Sequence, residues 1–180
     1  ADLDGYLCGR ELEREEKMKR YGQVYDVVYR SSMSAVHHCF TPPFQYAQIL
    51  QLGRQFPEIR FQHVMFLWVA NEGPFEHEFF VRIARCFPVL RYLYVDEGCH
   101  SMVNGDFCRT IRYDRIIEFP HVEWLKLFAA TGHGMEQFLN ANITRLPRLT
   151  QLTIPYEALE IITQHFTRHE TRRNCAHVTN

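Results

Sequence analysis

Along this chain the apolar residues return in one phrase, with polar stretches between the copies. The clearest copy is Phe87-Pro88-Val89-Leu90-Arg91-Tyr92-Leu93-Tyr94-Val95, and others begin at Phe61, Phe119 and Leu146. Each reads [Phe/Leu]-x-x-[Val/Leu]-x-x-Leu-x-[Val/Ile/Leu], and three of the four place Pro second. The closing alternation predicts short strands with one buried face at about 64–69, 90–95, 122–127 and 149–154. Between the phrases the apolar period becomes helical. Phe75, Phe79, Phe80, Ile83, Ala84 and Phe87 share one helical face, with Glu76 and Glu78 in the first turn and Arg82 and Arg85 near the end, as the helix dipole favours. Met135, Phe138, Leu139, Ile143 and Leu146 repeat that spacing after Thr131-Gly132-His133-Gly134. Ala158, Leu159, Ile162 and Phe166 make a third inward-facing helical set.

Upstream the signals are less regular. Leu12 to Arg20 is a charge run with Glu13/Lys17, Glu15/Lys19 and Glu16/Arg20 at i,i+4, which predicts a solvated surface helix ending at Gly22. Val24–Tyr29 and Ala35–Phe40 read as short strands. Thr41-Pro42-Pro43 is a break, and a helix starting near Pro43 would place Phe44, Ala47, Leu50 and Ile49 on one face. Residues 96–118 form the longest connection, with a loop over Asp96–Asp106 and either a helical turn or an extra strand over Ile111–Ile117.

The four phrases start 26, 32 and 27 residues apart. A core of L-x-x-L-x-L returning at that interval is the signature of a leucine-rich repeat. The expected architecture is therefore α/β: a leucine-rich-repeat-like solenoid segment with a parallel sheet on one face and helices on the other. Residues 1–34 read as a charged N-terminal helix and lead-in, and 35–180 as the solenoid, with 35–54 a degenerate first unit. One repeat cannot bury its own apolar face. Neither end shows an obvious polar cap and the sequence opens on Ala1, so the expectation is a piece of a longer chain.

Composition narrows the chemistry. Charged residues are 23% and apolar residues 46%, as in ordinary globular domains. The formal net charge of −1 argues against a nucleic-acid binder, which needs a basic surface. Six cysteines show no C-x-x-C spacing and read as reduced, which predicts an intracellular protein, cytoplasmic or nuclear. No run of 18 apolar residues predicts a membrane span. His37-His38-Cys39, Cys99-His100 and Cys175-x-His177 lack zinc-ligand spacing, and no nucleotide or nucleophile-elbow motif is present. No catalytic, cofactor-binding or metal residue is assigned. Arg168, Arg172 and Arg173 could meet phosphate or an acidic partner, or act only against the dipole of a helix end.

The second face of the strands carries the main candidate site. If Leu67 and Val69 point inward, Phe66, Trp68 and Ala70 point to the concave face. The same positions downstream are Tyr92, Tyr94, Asp96; then Trp124, Lys126, Phe128; then Gln151, Thr153, Pro155. Six of these twelve residues are aromatic. Concave repeat faces are the usual binding surface, and Trp and Tyr are enriched at interface hot spots. Phe66, Trp68, Tyr92, Tyr94, Trp124, Lys126 and Phe128 are the predicted protein-binding stripe; the competing reading is that other parts of the chain fold over these rings.

Two blocks carry a family resemblance: Pro74-Phe75-Glu76-His77-Glu78-Phe79-Phe80, and Phe166-Thr167-Arg168-x-x-Thr171-Arg172 followed by Asn174-Cys175-Ala176. Over about residues 36–178 the chain resembles rotifer proteins with an F-box and an irregular leucine-rich-repeat tail. The resemblance implies a substrate-recognition tail of an F-box-type ubiquitin-ligase adaptor, holding a protein client. A Skp-type adaptor is implied only where an F-box lies upstream, since no segment here reads as one. Two other readings stand beside it: a repeat scaffold with no ubiquitin role, and an enzyme with a dispersed Cys/His site.

Overall fold

The computed structural model describes residues 25–30, 35–41, 43–98, 115–128, 130 and 132–179. The charged helix expected over Leu12–Arg20 and the loop expected beyond Gly98 lie outside the described residues. In chain order the strands are β1 (Tyr25–Arg30), β2 (Ala35–Phe40), β3 (Gln48–Leu52), β4 (Phe66–Ala70), β5 (Tyr92–Asp96), β6 (Ile117–Glu118), β7 (Trp124–Phe128), β8 (Thr144–Arg145) and β9 (Gln151–Thr153). The helices are α1 (His77–Cys86), α2 (Gly132–Leu139), α3 (Tyr156–Ile162) and α4 (His169–Asn174).

The protein is α/β, built on a five-stranded parallel sheet of order β3-β4-β5-β7-β9. Each strand lies beside the one before it, so the sheet grows by one edge. β1 and β2 form an antiparallel pair, and β6 pairs with β8 in a small parallel ladder.

The phrase explains the register. Leu67, Leu93, Leu125 and Leu152 are aligned across four strands, and Val69, Val95 and Leu127 across three. All but Leu152, on the outermost strand, are buried. The opening positions Phe61, Phe87, Phe119 and Leu146 are buried too, and Phe61 stacks on Phe87 at 4.6 Å. Helices α1 and α2 bury Phe79, Phe80, Ile83, Met135 and Phe138 into the same core, with Phe80 edge-on to Phe138 at 4.7 Å.

A repeated hydrogen-bond motif sets where each strand begins. The carbonyl before one strand accepts the two N–H groups that open the next. Ala47 O takes Met65 N and Phe66 N, Met65 O takes Arg91 N and Tyr92 N, Arg91 O takes Glu123 N and Trp124 N, and Glu123 O takes Thr150 N and Gln151 N, all at 2.8–3.1 Å.

Three expectations are corrected. Helix α2 stops at Leu139, so Ile143 and Leu146 do not lie on it but flank β8. The run after Pro43 is not a helix; Gln48–Leu52 is a strand pairing with β4. The strand carries a bulge: Gln51 takes a left-handed φ of 56°, and one extra residue separates the inward-facing Ile49 and Leu52. The expected helical face is split by strand alternation instead: Ile49 is buried while Leu50 is 46% exposed. Phe166 does not face inward either. Helix α3 ends at Ile162, Gln164, His165 and Phe166 all take positive φ, and Phe166 is 44% exposed. The Thr163 hydroxyl fixes this turn by donating to Leu159 O at 2.7 Å and accepting from Phe166 N at 3.0 Å.

Candidate functional site

The alternation that buries Leu and Val on one side of the sheet sends the intervening residues to the other. The observed register brings the predicted stripe together in two rows. Phe66, Tyr92, Trp124 and Gln151 form one; Trp68, Tyr94, Lys126 and Thr153 form the other. A partial third row aligns Ala70, Asp96 and Phe128. All seven predicted residues therefore share one face. Phe128 is 52% and Tyr92 37% exposed, and the other five are half-buried.

The rings pack against one another along the rows. Trp68 stacks on Tyr94 at 5.1 Å with 12° between the planes, and Lys126 Nζ sits 4.7 Å from the centroid of the same Tyr94 ring. Because β4 and β7 flank β5, these neighbours occupy the two faces of Tyr94. Tyr92 meets Trp124 edge-on at 6.0 Å, and Tyr94 meets Phe128 edge-on at 6.2 Å. Aromatic pairs of this kind contribute about 0.5–1.5 kcal/mol each beyond their buried area.

Polar groups in the face are few. Trp124 Nε1 donates to Thr153 Oγ1 at 3.4 Å. The Trp68 indole N–H is shut off from solvent and has no acceptor among the described residues. Asp96 Oδ1 accepts from Gly98 N at 3.1 Å, closing its own turn. Burial, and secondarily the Asp96 carboxylate, pushes the Tyr94 phenol above its ordinary value, so it stays neutral well into the alkaline range.

Other sequence candidates are separated or engaged elsewhere. Arg168 makes a bidentate pair with Glu136 at 2.5 and 2.7 Å, away from any phosphate role, while Arg172 and Arg173 occupy the last turn of α4. His38 Nε2 lies 3.2 Å from Gln51 O, beside a cleft of about 470 Å³ between β2 and β3. Cys86 lines a second cleft, of about 410 Å³, with Glu58, Arg60 and Arg85 and without a histidine. Burial pushes the thiols of Cys86 and Cys175 above their ordinary value. Among the described residues no three His, Cys, Asp or Glu side chains gather to hold a metal, and no helix is long and apolar enough to cross a membrane.

Sequence reasoning missed two buried polar devices. Glu97 is 0% exposed and accepts from Phe75 N at 2.9 Å, just ahead of α1. The second device is a hydrogen-bond chain through the helix layer. His77 Nδ1 lies 3.0 Å from Gln137 Oε1, Gln137 Nε2 donates to Thr144 Oγ1 at 2.8 Å, and Asn174 Nδ2 donates to Thr144 O at 2.7 Å. His77 and Asn174 belong to the two sequence blocks that carry the family resemblance, so those blocks meet through this chain. The signal was present only as isolated polar residues inside apolar patterns. No family model, curated protein or solved structure matches the chain.

Proposed function

We propose that the chain is a leucine-rich-repeat-like solenoid segment whose aromatic sheet face binds a protein client, without catalysis. The observation that carries the reading is the alignment of Phe66, Trp68, Tyr92, Tyr94, Trp124 and Phe128 on the side of the sheet opposite its core. A single buried core does not require rings on both faces of a sheet, and contiguous apolar surface outside a core marks interaction sites. The ring packing favours a protein over a planar base or a sugar, because both faces of Tyr94 are already occupied. The two blocks at 74–80 and 166–176 support the narrower reading, the client-recognition tail of an F-box-type ubiquitin-ligase adaptor in the cytoplasm or nucleus. The Cys/His enzyme gains nothing from Cys86 and Cys175, whose raised pKa values oppose thiolate formation.

The test compares proteins captured by the parent chain with those captured by Tyr92→Ala and Phe128→Ala, two of the more exposed rings. The reading expects a partner retained by the parent and lost by both variants while their melting temperatures stay near the parent's. Partners indifferent to both substitutions would overturn it. The ubiquitin part is tested separately, by whether a Skp-type adaptor co-purifies with the natural gene product.

A further inference from the structure

Taking the aromatic face as the binding surface, we infer that its partner is a peptide segment that sets an acidic side chain, flanked by apolar ones, against Lys126. Lys126 is the one cation in the two aligned rows of rings. It is half-buried, with Nζ 4.7 Å from the Tyr94 centroid and 5.9 Å from that of Phe128. Among the described residues no carboxylate lies within ion-pair distance of it. Asp96, the acid on this face, is engaged by Gly98 N. The face thus offers one positive charge on an apolar ground, and an acid among apolar side chains is its complement. A cation already held over a ring and partly desolvated gains more from an incoming carboxylate than a solvated surface lysine would.

Single-stranded nucleic acid fits less well. Its affinity comes from neutralising several phosphates, and these rows contain one cation in a chain of net charge −1. Its bases need open ring faces, which Tyr94 does not have.

The experiment is selection of a random twelve-residue peptide library on the immobilised 180-residue chain. Enriched peptides should carry Asp or Glu between apolar residues. Their affinity should fall roughly 10- to 100-fold on Lys126→Ala, and further on Lys126→Glu. Replacing the peptide acid by its amide should cost about the same, and the two changes together should cost much less than their product. Lys126→Gln, which removes the charge but keeps a polar side chain only one atom shorter, guards against a folding artefact. Peptides without an acid, or an acid whose replacement is independent of Lys126, would overturn the inference while loss on Tyr92→Ala would leave the binding face standing. Peptides indifferent to both Tyr92→Ala and Lys126→Ala would overturn the face itself, and so would a library yielding no enriched sequence. Displacement of the peptides by an oligouridine strand at comparable concentration would reassign the site to nucleic acid. Capture only after residues 99–114 are replaced by a short Gly-Ser linker would make this chain's own loop the occupant, and would also overturn the inference.

Discussion

Glu97 and Gly134 occupy one space: a β-carbon built on Gly134 would lie 2.6 and 2.7 Å from the two carboxylate oxygens of Glu97. The glycine lies in the first turn of α2, and the carboxylate also holds Phe75 N ahead of α1. Gly134→Ala should therefore destabilise the protein by roughly 1–3 kcal/mol, although alanine is intrinsically the better helix former by about 1 kcal/mol. In a Glu97→Ala background the same change should become neutral or favourable. Chemical denaturation of the four proteins checks this; additivity would show that the two residues do not share the space.

Asn174 is 4% exposed and makes three bonds with one amide. Its Nδ2 donates to Phe138 O and Thr144 O, and its Oδ1 accepts from Leu146 N. Asn174→Ala leaves these backbone groups without partners, and each such group costs about 1–3 kcal/mol. Asn174→Asp should be worse at neutral pH, since a carboxylate would face two carbonyls, and should recover partly in acid as it protonates. Hydrogen exchange should show α4 opening first in both variants.

The raised pKa of Tyr94 has a defined sign. The folded state holds the phenolic proton more tightly than the unfolded chain, so this contribution is complete below the unfolded value near 10 and is lost as pH rises through the folded value. Tyr94→Phe should flatten that alkaline decline. The same substitution should also remove one alkaline-shifted step from an ultraviolet titration of the phenolates. Asp96→Asn should bring the step down only in part, because burial is the larger cause.

Cys86 is buried and Cys175 half-buried, and burial opposes thiolate formation at both, more than Arg85 favours it at Cys86. Native protein at neutral pH should modify slowly at both positions, with Cys175 ahead of Cys86. Peptide mapping after timed alkylation reads this directly. Rapid labelling of Cys86 would mean that the end of α1 opens.

What could be read in the sequence was whatever repeated. The phrase located four strands to within two residues and fixed which side chains share a face, because Leu67, Leu93, Leu125 and Leu152 hold equivalent places. The helical face expected over Phe44, Ala47, Ile49 and Leu50 is absent because successive strand residues face opposite ways, and Ile49 is buried while Leu50 is exposed. Phe166 was misread because helical spacing says nothing of where a helix stops, and Thr163 sets the stop through its hydroxyl. The rings of the candidate site were legible because strands alternate. That Tyr94 would be sandwiched between Trp68 and Lys126 was not, since it depends on which strands become neighbours.

The carbonyls of Ala47, Met65, Arg91 and Glu123 each admit the following strand. Alignment of neighbouring strands is thus settled by a local handshake and owes little to how far the chain wanders in between. That is why phrases 26, 32 and 27 residues apart deliver their side chains to common rows. Length can be added to a connection without scrambling the surface, so the connections are where such a chain can acquire new sequence while its aromatic face keeps one layout.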